Sequence, residues 1–447
     1  MAAETFKGGV HPHDFKHFSN KVPIEDFPAP KKVIIHLTQH IGAPSKPTVK
    51  VGDLVKKGQK ISEAGGFVSI PMHSSISGKV TNIGTYPHPL GTVQQAIEIE
   101  NDGKNECVDC LEDNESYMDM TVDEMKNRVK EAGICGMGGA GFPTHVKLSP
   151  PENKPINTVI LNGVECEPFL TADHRLMLEK PDEIIAGLKI IMKILGAKKG
   201  YIGIELNKKD AIKIMRGKLK IEKNFQVVPL HLRYPQGAEK QLIYAATRKK
   251  VPAGGLPMDV GIVVHNVGTA FAIYEAVRYN KPCIERITTV TGSIVKKPKN
   301  LRVPIGSSIS DMIEYCGGTI IDIAKLISGG PMMGFAIPNI DTPITKTTSG
   351  IVLFGKDEIV DTKEQPCLHC SRCVDACPMN LIPTFIAENV KNQNYEFAQK
   401  LNILDCMECG SCSYVCPSHI QIIQWIKLGK LEVGKLMKKN EPQNHPS

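Results

Sequence analysis

Two copies of one cysteine pattern constrain the last quarter of the chain more tightly than any other feature. Cys367-Leu-His-Cys370-Ser-Arg-Cys373-Val-Asp-Ala-Cys377-Pro378 is followed, 28 residues on, by Cys406-Met-Glu-Cys409-Gly-Ser-Cys412-Ser-Tyr-Val-Cys416-Pro417. Both read C-x2-C-x2-C-x3-C-P, the spacing that ligates [4Fe–4S] cubes. Three close thiolates reach three corners of one cube, and the proline stops the turn from winding on before the fourth. In a two-cube arrangement the fourth cysteine crosses over. One cube then takes Cys367, Cys370, Cys373 and Cys416, and the other Cys406, Cys409, Cys412 and Cys377. The competing uses fit less well. Zinc rarely needs three thiolates so close together, and disulfides rarely repeat an identical four-cysteine spacing.

Between the motifs, Pro383–Val390 and Tyr395–Leu401 have helical periodicity, and a third helix can start after Pro417. The expectation is an all-helical two-cube module over 361–428 and a basic tail over 429–447. In that tail Ile422, Ile426, Val433 and Leu436 share one helical face, with Trp425 nearby, and Lys427, Lys430, Lys435, Lys438 and Lys439 supply cations. The segment reads either as a membrane- or partner-facing surface or as a last helix packed on the cube module.

A chain of 447 residues has room for about three domains. The net charge of +7 carries no arginine stripe interleaved with aromatics, which excludes nucleic acid as the expected partner. It suits an acidic protein or an anionic membrane face. The N-terminus lacks the apolar core of a signal peptide, and the longest apolar run, Ile184–Leu195, is interrupted by Lys189 and Lys193. The thiolate motifs point to a reducing compartment.

In residues 1–101, prolines at 23, 28, 30, 44 and 47 keep the opening extended. Short β-rich runs follow at Lys32–Leu37, Lys60–Ile61, Gly66–Ile70, Gly78–Ile83 and Gln95–Ile99, punctuated by glycine turns. Val51-Gly-Asp-Leu-Val-Lys-Lys-Gly58-Gln-Lys-Ile61 with Ser77-Gly-Lys-Val80 resembles the sandwich of biotinyl and lipoyl carrier domains. The tip that would hold the carrier lysine reads Ile70-Pro-Met-His-Ser-Ser-Ile76. The expected module is therefore a carrier-like sandwich without the carrier function, with His73 a solvated loop residue. Residues 102–118 read as an acidic linker holding a lone Cys107-x2-Cys110.

The third region, 119–283, opens with the capping-box signature Thr121-Val-Asp-Glu124 and a helix stopped at Gly133. Next comes Gly133-Ile-Cys-Gly136-Met-Gly138-Gly139-Ala-Gly141-Phe-Pro143-Thr-His-Val-Lys147. Gly136, Gly138 and Gly141 satisfy G-x-G-x-x-G, but a helix precedes them where the dinucleotide fingerprint needs a strand. Five glycines in nine residues still let backbone approach a phosphate or a ring closely. From Asn157 onward strands (Thr158–Leu161, Lys199–Ile204, Phe225–Leu230, Val260–His265) alternate with helices (Pro181–Leu195, Lys208–Leu219, Gly237–Thr247, Thr269–Asn280). This predicts a mainly parallel sheet covered on both faces, in a multidomain α/β chain. Ligands bind at the carboxyl ends of such strands. Three of those ends are polar here: Asn162-Gly-Val-Glu165-Cys-Glu167-Pro168, Tyr234-Pro-Gln-Gly237-Ala-Glu239 and His265-Asn266-Val-Gly-Thr269.

Gly136–Lys147 together with Asn162–Pro168 resembles the FMN- and NADH-binding flavoprotein subunit of respiratory complex I. Taken with the carrier-like N-terminus and the paired cysteine motifs, nearly the whole chain resembles the peripheral subunit of membrane-bound Rnf complexes. The resemblance implies FMN, NAD(H) and two [4Fe–4S] clusters as cofactors. It implies that Gly136, Gly138, Gly139 and Gly141 floor the flavin site and that Lys147 neutralises the flavin phosphate or steadies the ring's electron-rich edge. Asn162, Glu165, Gly237, Glu239, Asn266 and Thr269 then line the flavin, while Phe142 and Glu167 lie on the nucleotide side. Met137 and Val164 stand where the complex I family has arginine and aspartate, and each loses polar contacts. Cys135 and Cys166 read as small buried residues.

Residues 284–340 hold β-rich runs (Arg286–Val290, Leu301–Pro304) and a short helix at Ser310–Tyr315. They resemble the β-grasp-like SLBB module of the same complex I subunit and include a glycine turn, Ile327–Gly334, of no assigned role. Residues 341–360 read as a linker. The implied activity is that of a subunit of a ferredoxin:NAD⁺ oxidoreductase, passing electrons between the clusters and NAD⁺ through FMN. No side chain is expected to act as acid or base. Membrane partners, among them a ferredoxin-accepting iron–sulfur subunit, would carry Na⁺ or H⁺, and the chain would sit peripherally on the cytoplasmic side of the membrane. The rival readings are a flavin subunit of a soluble NAD-reducing hydrogenase or formate dehydrogenase, and a non-catalytic relay that lacks flavin.

Overall fold

The computed structural model describes residues 3–109, 111–359 and 362–440. The N-terminal module is built from two antiparallel sheets. One runs Lys32–His36, Val93–Asn101, Gly78–Pro87, Leu54–Val55; the other runs Lys46–Pro47, Lys60–Glu63, Met72–His73. The run Gly66–Ile70 is not a strand. The Gly65 amide donates to the Ser69 hydroxyl at 2.9 Å and closes a turn there instead. The carrier-like tip is buried, contrary to the solvated loop expected for His73. Ser74 and Ser75 are at most 1% exposed, the Ser75 hydroxyl donates to the Ile305 carbonyl at 2.6 Å, and burial holds the imidazole of His73 neutral. Ile61, Ile97 and Ile99 of this module join one continuous core with Met125, Ile134 and Leu161 of the next.

That next module is a four-stranded, all-parallel sheet of β1 (Thr158–Asn162), β2 (Lys199–Glu205), β3 (Phe225–Leu230) and β4 (Ile262–Asn266), in the order β3-β2-β1-β4. β1 and β4 are apolar almost throughout, as strands covered on both faces must be. The helices are α1 (Val122–Glu131), α2 (Ala172–Glu179), α3 (Pro181–Leu195), α4 (Lys209–Lys218), α5 (Glu239–Thr247) and α6 (Val267–Tyr279). The capping box at Thr121 and Glu124 forms as expected. Pro181 and the acidic pair Asp182 and Glu183 open α3, and left-handed Gly196 ends it. Ile184, Leu188 and Ile191 of α3 are fully buried, each contributing about 1.5–3 kcal/mol. Gly187 lets α3 lie against α6, because a Cβ there would stand 2.0 Å from the Ala270 carbonyl oxygen. This contact fixes α6, whose N-terminus belongs to the site. α2 is an element that the sequence pattern does not announce.

The third module corrects a boundary. Its six-stranded sheet runs Ile24–Asp26, β6 (Lys299–Pro304), β5 (Glu285–Thr291), β8 (Gly350–Phe354), β7 (Lys325–Ser328), Phe335–Ala336, with α7 (Ile309–Tyr315) packed on it. The supposed linker 341–360 therefore contributes a central strand, whose Ile351, Val352 and Leu353 are fully buried. The opening arm is equally committed. Ile24–Asp26 forms the edge of this sheet, and Glu4 and Val10 bridge to Leu230 and Tyr234 beyond it.

Helices are the regular structure of the cysteine module, and among its described residues it has no strand: α8 (Pro383–Lys391), α9 (Tyr395–Lys400) and α10 (Ile422–Asn440), with short helical turns Arg372–Ala376 and Ser411–Tyr414. α10 runs through the boundary expected at 428. Ile422, Ile426 and Val433 pack in the module's core, while Leu436 is half-buried. Packing on the module thus claims most of the face whose role was open.

Candidate functional site: a glycine cradle and a cysteine-lined cavity

The glycine loop is a closed hairpin. The Gly136 amide donates to the Phe142 carbonyl at 2.9 Å, and Cys135 bridges Pro143. Gly138, Gly139 and Ala140 form an exposed crest, with Phe142 38% exposed beside them. Gly141 is left-handed, and a Cβ there would meet Thr347 at 2.9 Å. From beneath, the Met137 amide donates to the Thr269 hydroxyl at 3.0 Å and the Arg286 guanidinium donates to the Met137 carbonyl at 3.1 Å.

The strand ends meet this loop. Asn266 caps α6 by accepting the Gly268 amide, and its side chain lies so close to Gly138 that a Cβ there would come within 2.7 Å. The Asn266 amide group donates to Asp173 at 2.6 Å, and Asn162 donates to the Gly237 carbonyl at 2.8 Å. Lys147 pairs with Glu239 at 2.6 Å. Gly136, Gly138, Lys147, Asn162, Gly237, Glu239 and Asn266 therefore belong to one constellation around the ends of β1, β3 and β4. Gly139 and Phe142 flank it on the open crest.

Two expected flavin-lining residues and one expected on the nucleotide side are committed elsewhere. Glu165 accepts the Asp173 and His174 amides at 2.7 and 3.2 Å, so its carboxylate anchors the start of α2. Thr269 is fully buried behind the loop it holds. Glu167 accepts the Met332 and Met333 amides at 3.0 and 2.9 Å, and burial raises its pKa to about 7. The Ile327–Gly334 turn thereby acquires a role as the partner of Glu167.

Sequence reasoning also misses the charges below the cradle. Arg286, Lys16, Lys208 and Glu205 are buried and Asp173 is half-buried. The Lys16 ammonium donates to the Glu167 and Leu170 carbonyls, and that of Lys208 to the Val164 carbonyl at 2.7 Å. Burial, with like-charged Glu165 adding to it, pushes Asp173 up to about 6. Met137 is buried, and Arg286 supplies a cation at its carbonyl from another module. An arginine inside a strand buried along nearly its whole length was the available signal. Cys135 is buried with its thiol pushed up to about 12, and burial raises Cys166 as well, so both are inert.

The two cysteine motifs repeat one backbone conformation. His369 and Ser371 in the first, and Glu408 and Gly410 in the second, have positive φ. The turn aims amides at sulfur: His369 donates to the Cys367 Sγ and Glu408 to the Cys406 Sγ, each at 3.4 Å. A cavity is lined by Cys377, Cys406, Cys409 and Cys412 together, with Met407, Leu381, Ile423 and Ile426 among its apolar walls. These four are the crossed set that the spacing implies. Cys367 and Cys370 are exposed, Cys373 is buried and Cys416 half-buried. Cys107 is exposed, while Cys110 lies outside the described residues.

The cysteine module meets the cradle through Tyr234 and through Gln241, whose amide donates to the Pro378 carbonyl at 3.2 Å. Tyr234, 2% exposed, precedes the Gly237–Glu239 segment and donates its phenol proton to the Cys409 carbonyl at 2.9 Å. Val10, Ala376 and Cys409 pack around it, with Cys166 and Met332 alongside. The residues fit the groups expected of them. The crest offers uncluttered backbone and an ammonium to a flavin phosphate, and four thiols face one apolar cavity.

Comparison with known proteins agrees module by module. Residues 4–104 match the family model of the RnfC barrel sandwich hybrid domain, 129–275 the Nuo51 FMN-binding domain, 287–336 the SLBB domain and 366–420 the 4Fe-4S dicluster domain. The chain is 50% identical to the C component of the proton-translocating ferredoxin:NAD⁺ oxidoreductase complex of Clostridium ljungdahlii, over 96% of this chain and 94% of that one. It is 43% identical to the C component of the Na⁺-translocating ferredoxin:NAD⁺ oxidoreductase complex of Acetobacterium woodii (96% and 97% covered). With the C component of the ion-translocating oxidoreductase complex of Rhodobacter capsulatus the identity is 39% (97% and 83% covered). A chain of the air-oxidized NAD⁺-reducing [NiFe]-hydrogenase superposes with a TM-score of 0.50 at 16% identity, covering 75% of this chain and 64% of that one, a likeness of fold alone.

Proposed function

This chain belongs to the RnfC family, the C components of ion-translocating ferredoxin:NAD⁺ oxidoreductase complexes, and from that premise we propose how its residues divide the work. It is the NAD(H)-reactive electron-transfer subunit of such a complex, carrying FMN and two [4Fe–4S] clusters. FMN, when bound, supplies what clusters and nicotinamide lack, exchange of two electrons on one side and single electrons on the other. The crest Gly138–Ala140 gives the flavin and nucleotide close backbone contact. Lys147 would hold the flavin phosphate, and giving up its partly exposed pair with Glu239 would cost little. Asn162 and Asn266 hold the strand ends in register, and Arg286 and Thr269 fix the loop from below.

Cys377, Cys406, Cys409 and Cys412 would hold the cube on the cradle side, and Cys367, Cys370, Cys373 and Cys416 the cube on the solvent side; the clusters would supply one-electron carriers in that order from the flavin site. The observation that carries this order is the Tyr234–Cys409 contact, which seats the second motif against the cradle while Cys367 and Cys370 lie open to solvent. The exposed pair Cys367 and Cys370 would place that second cube where another subunit can reach it. No helix among the described residues is long and apolar enough to cross a membrane. Ion transport accordingly belongs to the partner subunits, which hold this chain on the cytoplasmic face.

Reconstitution of the full chain with iron, sulfide and FMN tests the proposal. Flavin absorbance should bleach on adding NADH. Full FMN occupancy with no response to NADH would remove the nucleotide site from the account.

A further inference from the structure

Two segments of the N-terminal module reach across to the glycine hairpin. In the first, the Ile41 amide donates to the Gly141 carbonyl at 3.2 Å, and a Cβ on Gly141 would stand 3.2 Å from the Gln39 carbonyl oxygen. In the second, the His145 Nε2 donates to the Phe67 carbonyl at 3.2 Å, and the two rings meet edge-on with centroids 6.3 Å apart. The Ala43 amide, donating to the Val68 carbonyl at 3.0 Å, ties the two segments to each other. Gly141 and His145 lie on either side of Phe142 in the chain, so Ile41 and Phe67 border the same edge of the cradle as Phe142.

What this edge shows to solvent is apolar. Phe67 is 72% exposed, Ile41 49% and Phe142 38%, beside the exposed Gly138–Ala140 crest. Large apolar side chains gathered at one place, rather than scattered, mark a binding surface. Neither segment carries a charge: 39–43 reads Gln-His-Ile-Gly-Ala and 66–69 reads Gly-Phe-Val-Ser, and burial favours the neutral imidazole of His40. Such a face offers nothing to a phosphate. It suits a flat, uncharged base, which packs on an aromatic side chain whatever its edge pattern. NAD(H) brings two rings to the cradle. Its nicotinamide exchanges hydride with the flavin and must lie there, which leaves the adenine for this edge.

We propose that Phe67 and Ile41 form the face on which the adenine of NAD(H) packs, so that the carrier-like module completes the nucleotide site. This rests on the reading of the glycine crest as the flavin and nucleotide site. It gives a module without a carrier lysine a share in substrate recognition. The face is firmly backed, since Ser69, Ile70 and Met72, which follow Phe67, are fully buried. Phe67 touches the half of the dinucleotide that does not react. Removing its ring therefore weakens binding of the dinucleotide and spares a substrate that ends at the nicotinamide's own phosphate.

The test compares NADH with reduced nicotinamide mononucleotide, which lacks the adenylate half, as reductants of the reconstituted full chain. In Phe67→Ala the KM for NADH should rise by about tenfold, the size of one lost base stack, with kcat unchanged. The KM for the mononucleotide should not move. ADP-ribose, followed by isothermal titration, should bind Phe67→Ala about tenfold more weakly than the wild type, and Phe67→Tyr should bind it as the wild type does. Ile41→Ala should act in the same direction by less. All three variants should keep wild-type FMN and iron, because the replaced side chains are exposed. An unchanged KM for NADH in Phe67→Ala, or an equal rise with both reductants, would overturn the adenine face and leave the cradle standing. A wild-type chain whose bound flavin does not respond to NADH would remove the nucleotide site, and the adenine face with it.

Discussion

Lys147, at the end of the helical turn after the glycine loop, holds the Glu239 carboxylate at 2.6 Å and so ties that loop to the segment following β3. The pair is about a third exposed, so it contributes well under 1 kcal/mol to stability and leaves its ammonium available to a phosphate. Lys147→Met should weaken FMN binding by about tenfold, the size of one charge-assisted hydrogen bond, and should flatten its salt dependence. Glu239→Gln should weaken it less. Fluorescence-quenching titrations with FMN at two ionic strengths read both.

Gly138 is the crest position with least room, since a Cβ would stand 2.7 to 3.0 Å from the Asn266 side chain. Gly138→Ala should displace Asn266 from Asp173, losing about 1–2 kcal/mol of hydrogen bonding. FMN affinity should then fall by about tenfold or more. Gly139→Ala meets nothing within 4 Å and should leave folding unchanged, which makes it the control. Isothermal titration of the two variants with FMN separates a cradle effect from a general glycine effect.

The chain should lose stability in acid through its histidines. Burial lowers His36 to about 3, with His88 adding to it, and lowers His40, His73, His88, His145, His174 and His265 as well. A depressed folded value means the unfolded chain binds more protons below 6.5, so stability falls as pH drops from 6.5 toward 3. His36 alone accounts for up to about 5 kcal/mol of that fall. Asp173 and Glu167, raised to about 6 and about 7, act in the opposite sense over part of the range and offset some of it. Urea titrations between about pH 7 and about pH 5 should show the midpoint dropping, and His36→Phe should reduce the drop.

The parallel sheet was legible because β1 to β4 are short buried runs between clear helix signals, and the cube ligands because eight cysteines repeat one spacing. What escaped depends on distant partners. β8 reads as linker because Gly350–Phe354 follows a serine- and threonine-rich turn, and its neighbour β5 lies some sixty residues upstream. Arg286 reads only as the start of a β-rich run until Asp173, on a helix the sequence hides, is brought beside it. The resemblance puts Glu165 and Thr269 at the flavin and Glu167 on the nucleotide side, yet their side chains answer backbone amides of α2, of Met137 and of the 330–333 turn. A motif names the segment; the tertiary hydrogen bonds decide which way each side chain serves.

The central claim is that electrons leave the flavin through the Cys409 cube before the Cys367 cube. Rapid mixing of NADH with reconstituted Cys409→Ser and Cys367→Ser chains, each carrying half the wild-type iron, tests it most directly. In both, flavin should bleach at the wild-type rate. In Cys367→Ser the remaining cube should then be reduced promptly, whereas in Cys409→Ser reduction should stop at the flavin or slow by at least about a hundredfold. Prompt reduction of the remaining cube in Cys409→Ser, with none in Cys367→Ser, would contradict the order and the role given to Tyr234.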